Sequence, residues 1–128
     1  MTTAPPHPNV LTGRRILLVE DDYLLAHALG SLLRDRGVQL LGPCGTVQDA
    51  LRLLQSSDRV DAVVLDGNLD GERADRVADA VLARGIPLVF VSGYDRELLP
   101  PRFKDVPHCL KPVDVDHLAA ALAGQLAA

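Results

Sequence analysis

The chain has 128 residues, of which 48% are hydrophobic and 23% charged, enough for one domain with a sizeable core. The formal net charge of −4 at pH 7 and the lack of any lysine and arginine run argue against a general nucleic-acid binder. No stretch approaches the roughly 18 consecutive apolar residues of a membrane span, and the first residues lack the basic and apolar regions of a secretory signal.

The N-terminal end is predicted to be a flexible, proline-rich leader over residues 1–13, followed by a single domain over residues 14–126. The domain opens with an apolar strand over residues 14–19. Apolar residues at helical spacing between Leu25 and Leu33 then predict a first helix, which Gly37 ends.

Four more strands are predicted in the rest of the chain, at the apolar runs 38–41, 60–65, 86–91 and 107–110. Amphipathic helices alternate with the strands, and Asp22, Thr46 and Asp114 are the predicted N-caps of three of them. The second strand is expected to leave through a turn at Gly42-Pro43. Between the fourth and fifth strands, Pro100-Pro101 prevents a long helix.

The predicted strands are nearly continuous apolar runs and do not alternate between apolar and polar residues. This pattern is typical of a parallel sheet that is covered on both faces. Right-handed crossovers then favour a doubly wound α/β sandwich. Such sheets bind ligands at the carboxyl ends of their strands, near the point where the strand order reverses.

Polar side chains follow four of the five predicted strands at this edge. They are Glu20 and Asp21 after the first strand, Asp66 after the third, Ser92 after the fourth and Lys111 after the fifth. Each alone has an ordinary explanation, as a helix cap, a turn residue or a solvated charge. Their shared position at one sheet edge predicts a functional site.

Carboxylates that converge on a small site repel one another, so either their pKa values rise or a cation enters. Oxygen ligands of this kind suit Mg²⁺, to which the backbone carbonyl of Asn68 can contribute. The ammonium group of Lys111 brings a second positive charge, and Ser92 can donate to a phosphoryl oxygen. The combination indicates a phosphoryl site in which Asp66 is the nucleophile.

Other functional classes have weaker support in the sequence. A small Mg²⁺-dependent phosphatase would want a second acid two residues after the nucleophile, where Asn68 stands. A flavin site would need a phosphate-binding loop after the first strand, where acidic residues would repel the phosphate. An interaction module that works without phosphorylation remains a third reading. Cys44 and Cys109 have no metal-site or CxxC spacing and are expected to be small buried residues.

Four segments, "ILLVEDD", "VVLDGNLDGE", "FVSGYD" and "CLKPVD", occur in an order and spacing that resembles the response-regulator receiver domains of two-component signalling. The resemblance covers roughly residues 14–126. It implies a flavodoxin-like (βα)5 fold with strand order 2-1-3-4-5. The stretch "PLVFVSGYD" is similar to the subclass with a Phe-Ala-Thr-Gly-Tyr motif, which implies a reduced fourth helix.

The resemblance also implies a role for each residue of the predicted site. Asp66 would be the phosphoacceptor, Asp21 a direct ligand of Mg²⁺, Glu20 a ligand through water, Asn68 a carbonyl ligand, Ser92 the switch hydroxyl and Lys111 the phosphate-contacting lysine. The Lys111-Pro112 bond would be cis.

The function that the resemblance implies is that of a cytoplasmic phosphoacceptor switch without an attached output domain. Its phosphoryl group would come from a phosphohistidine on a sensor kinase or a histidine phosphotransfer protein. It would signal through protein contacts, without nucleic acid or membrane. It would not be an enzyme beyond assisting its own phosphoryl transfer and hydrolysis.

Two positions depart from the common receiver pattern. Asp70 stands where many members have proline, and His108 stands three positions before the lysine, where an aromatic residue is common. We hypothesise that Tyr94, rather than His108, reports phosphorylation to a partner, the alternative being that Tyr94 covers the pocket. For His108 we favour a partly satisfied histidine at a strand edge over a pH-sensitive element.

Overall fold

A five-stranded parallel sheet forms the centre of the computed structural model, which describes residues 10–69, 71–93 and 99–127. The strands in chain order are β1 (Arg15–Val19), β2 (Gln39–Cys44), β3 (Ala62–Asp66), β4 (Asn68–Leu69), β5 (Glu72–Arg73), β6 (Leu88–Ser92) and β7 (His108–Leu110). The sheet has the order β2-β1-β3-β6-β7, and β4 and β5 form a separate antiparallel ribbon. This confirms the expected order 2-1-3-4-5, since β6 and β7 are its fourth and fifth strands.

Four α-helices cover the sheet in the described part of the chain: α1 (Tyr23–Asp35), α2 (Val47–Ser56), α3 (Asp75–Ala83) and α4 (Val115–Ala127). The predicted N-caps are confirmed, because Asp22 accepts from the backbone N–H of Leu25 and Thr46 from that of Asp49. Asp114 likewise accepts from the N–H groups that begin α4.

Both faces of the sheet are buried, as the apolar runs predicted. Every residue of β3 and β6 is buried. Leu65 and Phe90 belong to the core that α2 and α3 cover, whereas Val64 and Val89 belong to the core under α1 and α4. Full burial of such a side chain contributes about 1.5–3 kcal/mol to the stability of the fold. The two cores therefore stabilise the sheet that carries the site.

Strand β2 is longer than predicted, and the expected turn at Gly42-Pro43 is wrong. β2 continues to Cys44 through an irregular pairing with β1. Gly42 makes this possible with a φ of +86°, and a Cβ there would lie only 2.8 Å from the backbone oxygen of Leu18. Because β2 is an edge strand, it tolerates the missing N–H of Pro43.

The segment between β6 and β7 contains a 3-10 helix, Pro101–Phe103, and no α-helix among its described residues 99–107. Phe103 is fully buried, and its ring packs 5.5 Å from that of Phe90. The side chain of Arg102 forms two hydrogen bonds, of 2.9 and 3.0 Å, with the carboxylate of Asp79 on α3. The segment agrees with the expected reduced fourth helix, although residues 95–98 of that expectation lie outside the described residues.

The N-terminal boundary of the packed chain includes residues that were expected in the leader. Leu11 is buried in the core under α1 and α4, and the N–H of Gly13 donates to the carbonyl of Gly37. Residues 1–9, on which most of the expected leader falls, lie outside the described residues. None of the described helices is long and apolar enough to cross a membrane.

Candidate functional site

The carboxyl ends of β1, β3 and β7 bring two acids and a lysine into direct contact. The Nζ of Lys111 lies 2.9 Å from Oδ2 of Asp66 and 3.1 Å from Oε1 of Glu20. Glu20 follows β1, Asp66 ends β3, and Lys111 follows β7. The parallel register aligns these strand ends at one edge of the sheet, as the sequence predicted.

Asp66 is almost fully buried, with 3% of its surface exposed. Its Oδ1 accepts from the backbone N–H of Asn68 at 3.0 Å, while its Oδ2 contacts Lys111. The side-chain oxygen of Asn68 in turn accepts from the N–H of Gly71 at 3.0 Å. Both carboxylate oxygens of Asp66 therefore have donors, and the loop after β3 is held against the site.

The three carboxylates that follow β1 have two different roles, which are capping of α1 and formation of the acidic cluster. Asp22 caps α1, and its N–H donates to Oε2 of Glu20 at 3.0 Å. Glu20 is buried, whereas Asp21 is exposed. Glu20, Asp21 and Asp66 each offer an oxygen within 4.8 Å of the others.

The ionisation of the site reflects its burial and its crowded charges. Burial and the neighbouring carboxyl of Asp66 raise the pKa of Glu20 from 4.5 to about 7. Burial by itself would lower the pKa of Lys111, but the hydrogen bonds and negative charges of Asp66 and Glu20 outweigh it and raise that pKa. A cation between these groups thus offsets the cost of two buried carboxylates.

The donors at this edge fit a divalent cation of the magnesium type. All three side chains of the cluster offer carboxylate oxygens, and one of them is open to solvent, where metal-bound water can remain. Mg²⁺ favours oxygen ligands and keeps several waters. Soft or nitrogen ligands that would suit zinc or copper are absent from this three-residue cluster.

Ser92 and His108 form a hydrogen-bonded pair beside the acidic cluster. Ser92 is buried at the end of β6, and its Oγ lies 3.0 Å from Nε2 of His108. A Cβ on Gly67, which follows Asp66, would lie 3.6 Å from Cβ of Ser92, so the hydroxyl-bearing residue adjoins the loop after β3. The imidazole packs edge-on against Phe90, at 6.4 Å between ring centroids.

The sequence identified both residues of this pair but not the bond between them. The register of β6 and β7 pairs Ser92 with Leu110, which puts His108 on the same face of the sheet two residues earlier. The hypothesis on Tyr94 and the departure at Asp70 lie outside the described residues. The expected cis bond at Lys111-Pro112 is present.

The two cysteines lie apart from this site as free thiols. Cys109 is buried in the core under α1 and α4, and Cys44 is half-buried. Burial raises the pKa of Cys109, and burial together with the charge of Asp49 raises that of Cys44 to about 11. Cys109 agrees with the expectation of a small buried residue, whereas Cys44 is only partly buried.

Comparisons with known proteins find related chains in bacteria, although no protein-family model matches. The solution structure of SdrG from Sphingomonas melonis Fr1 is 39% identical and covers 91% of this chain and 98% of its own, with a TM-score of 0.78. A BeF3-activated conformation of SdrG from Pseudomonas melonis Fr1 is 38% identical, covers 88% and 95%, and has a TM-score of 0.73.

Two other relatives have lower identity. The receiver domain of the hybrid histidine kinase CckA is 28% identical and covers 88% of this chain and 98% of its own, with a TM-score of 0.70. The transcriptional regulatory protein PdtaR of Mycobacterium tuberculosis is 25% identical over 126 residues. That alignment includes 95% of this chain but 61% of PdtaR, so the chain spans about three fifths of this curated relative.

Proposed function

The chain belongs to the receiver domains of response regulators, and from this membership we propose that Asp66 accepts a phosphoryl group from a phosphohistidine donor. Receiver domains generally act as signalling switches rather than as enzymes. They exchange phosphoryl groups with histidine kinases or phosphotransfer proteins.

The observation that carries the proposal is the contact of Lys111 with two buried carboxylates, 2.9 Å from Asp66 and 3.1 Å from Glu20. A carboxylate oxygen of Asp66 would attack the phosphorus atom, and the bond between phosphorus and the histidine nitrogen would break. The donor imidazole leaves with that electron pair and takes up a proton. Lys111 already contacts the carboxylate, so its ammonium group is close enough to donate to a phosphoryl oxygen.

The residues around Asp66 support a divalent cation as the second source of positive charge. Asp21 and Asp66 would hold Mg²⁺ through their carboxylates, Glu20 through a water molecule, and Asn68 through its backbone carbonyl. When bound, Mg²⁺ supplies charge neutralisation at the phosphoryl oxygens. Ser92, beside the loop after β3, would donate its hydroxyl hydrogen to a phosphoryl oxygen.

SdrG gives independent support for a phosphoryl response, because it adopts a BeF3-activated conformation and is 38% identical to this chain. Beryllium trifluoride has the shape and charge of a phosphoryl group on a carboxylate. We propose that this chain responds in the same way at Asp66. The change would then pass to a protein partner in the cytoplasm, where ATP-dependent histidine kinases supply the donor.

The test is intact-mass spectrometry after incubation with a small phosphodonor, such as phosphoramidate, and Mg²⁺. The wild-type chain should gain the mass of one phosphoryl group, and the gain should disappear with EDTA. Asp66→Asn should abolish the gain. The matched control is Asp58→Asn, an exposed acid near the opposite end of β3, which should behave as the wild type. A gain that persists in Asp66→Asn would refute the assignment.

A further inference from the structure

We propose that His108 is the positioning residue of the Ser92 hydroxyl, and that a phosphoryl group on Asp66 reverses the direction of the hydrogen bond between the two side chains. The inference rests on the proposed function, since it concerns the same phosphoryl group. It starts from the distance of 3.0 Å between Oγ of Ser92 and Nε2 of His108.

Packing and backbone hydrogen bonds restrict the positions of the Ser92 and His108 side chains. Ser92 has 1% of its surface exposed, and its backbone oxygen accepts from the N–H of Lys111 at 2.9 Å. His108 is half-buried, with its ring against Phe90, which itself packs on the buried Phe103. The pairing of β6 with β7 fixes the position of the hydroxyl, and the packing against Phe90 fixes the position of the imidazole. The hydrogen bond between them is therefore set by the folded structure.

In the unmodified chain, the proposed direction of this bond runs from the hydroxyl hydrogen of Ser92 to Nε2 of His108. Both oxygens of Asp66 already accept hydrogen bonds, Oδ1 from Asn68 and Oδ2 from Lys111. Nε2 of His108 is an acceptor within hydrogen-bonding distance when the proton of the neutral imidazole is on Nδ1. A serine hydroxyl has only one hydrogen to donate.

A phosphoryl group on Asp66 brings three strong acceptor oxygens to the site. Once Ser92 donates to one of them, its bond to His108 persists only if Nε2 becomes the donor. The imidazole then loses the proton on its buried Nδ1 and gains one on Nε2 by exchange with water, so its net charge does not change. The tautomer of His108 becomes a readout of the phosphorylation state.

The first test needs no phosphoryl group. Side-chain ¹H–¹⁵N correlation spectra at about pH 8, where an ordinary imidazole is neutral, report which ring nitrogen carries the proton. In the wild type and in Ser92→Thr, which keeps the hydroxyl, Nε2 should be the unprotonated acceptor. In Ser92→Ala, the fraction with the proton on Nε2 should rise. Identical ring signals in all three proteins would overturn the inference.

The second test adds BeF3⁻ and Mg²⁺ to the wild type, with shifts of the Asp66 and Lys111 backbone amides as an independent sign of the adduct. The proton of His108 should then move to Nε2, and it should not respond in Ser92→Ala. If the adduct forms and the imidazole is unchanged, the inference fails and the proposed function stands. If no adduct forms in the wild type, the proposed function fails and the inference fails with it.

Substitution of His108 separates hydrogen bonding from packing. His108→Phe keeps a ring against Phe90 but removes the polar atom, whereas the side-chain amide of His108→Gln can either accept or donate. The affinity for BeF3⁻ should fall between about two- and tenfold in His108→Phe and recover in His108→Gln. Equal affinities in the wild type and His108→Phe would assign the histidine to packing and overturn the inference.

Discussion

Nζ of Lys111 and Oδ2 of Asp66 lie 2.9 Å apart, although 45 positions separate the two residues in the chain. Asp66 is buried, and Glu20, with Oε1 at 3.1 Å from the same ammonium group, is buried beside it. One cation thus serves two carboxylates that would otherwise face each other across a poorly solvated space. This relationship makes the stability of the protein and the chemistry of the site depend on the same three groups.

Removing this ammonium group should destabilise the metal-free protein. In Lys111→Met, two buried carboxylates lose their shared cation, and we expect a loss of about 1–3 kcal/mol in the free energy of unfolding. Urea denaturation in EDTA at neutral pH measures the change, and added Mg²⁺ should recover part of it.

The matched control for this lysine is Lys104→Met, since Lys104 is exposed. Its free energy of unfolding should stay within about 0.5 kcal/mol of the wild type. Equal stability of the Lys111→Met and Lys104→Met proteins would show that Lys111 does not compensate the buried acids.

Glu20 should make stability depend on pH in a defined window. Because its pKa rises from 4.5 to about 7 on folding, the folded chain holds the proton more tightly than the unfolded chain. The stability contribution of the protonated group is present below pH 4.5 and is lost as the pH rises through about 7.

The variant Glu20→Gln lacks this titration, so its free energy of unfolding in EDTA should overtake that of the wild type as the pH rises. Above the window, we expect it to be more stable by about 1–3 kcal/mol. It should also respond less to Mg²⁺, because one carboxylate of the cluster is gone. Parallel stability curves for the two proteins would contradict the assigned ionisation.

Much of this architecture was predictable from local patterns. The apolar runs predicted a doubly covered parallel sheet, and the caps at Asp22 and Thr46 followed from residue type and position. Parallel sheets bind ligands at the carboxyl ends of their strands, and this rule alone predicted that Glu20, Asp66 and Lys111 lie close together.

Two features depended on contacts between distant segments and could not be predicted in this way. Gly42-Pro43 has the composition of a turn, but pairing with β1 carries the strand through it to Cys44. The bond between Ser92 and His108 follows from the exact register of β6 and β7, which residue types alone do not determine.

The conformation of Gly42 gives a direct test of that irregular strand. In Gly42→Ala, the new Cβ would meet the backbone oxygen of Leu18 at 2.8 Å while φ is +86°, so we expect a loss of about 1–3 kcal/mol. Gly124→Ala in α4 is the matched control: a Cβ there meets nothing within 4 Å, and a gain of about 0.5–1 kcal/mol is expected. Thermal and urea unfolding of both variants measure the difference, and equal effects would refute the strained backbone at Gly42.

Cys44 should be a slow nucleophile in the folded protein. Its pKa of about 11, raised from 9.0 by burial and the charge of Asp49, lowers the thiolate fraction at neutral pH about a hundredfold. Alkylation by iodoacetamide, followed by peptide mass spectrometry, should be correspondingly slower in the native chain than in urea. Equal rates in the two conditions would contradict the raised pKa of the Cys44 thiol in the folded chain.

The most direct measurement of the central claim locates the phosphoryl group on the chain. After incubation with phosphoramidate and Mg²⁺, borohydride reduction converts an aspartyl phosphate to homoserine, which peptide mass spectrometry assigns to one position. We predict homoserine at position 66 and at no other acidic position. Homoserine at position 21, or an unmodified Asp66 in chains that have gained the phosphoryl mass, would contradict the account.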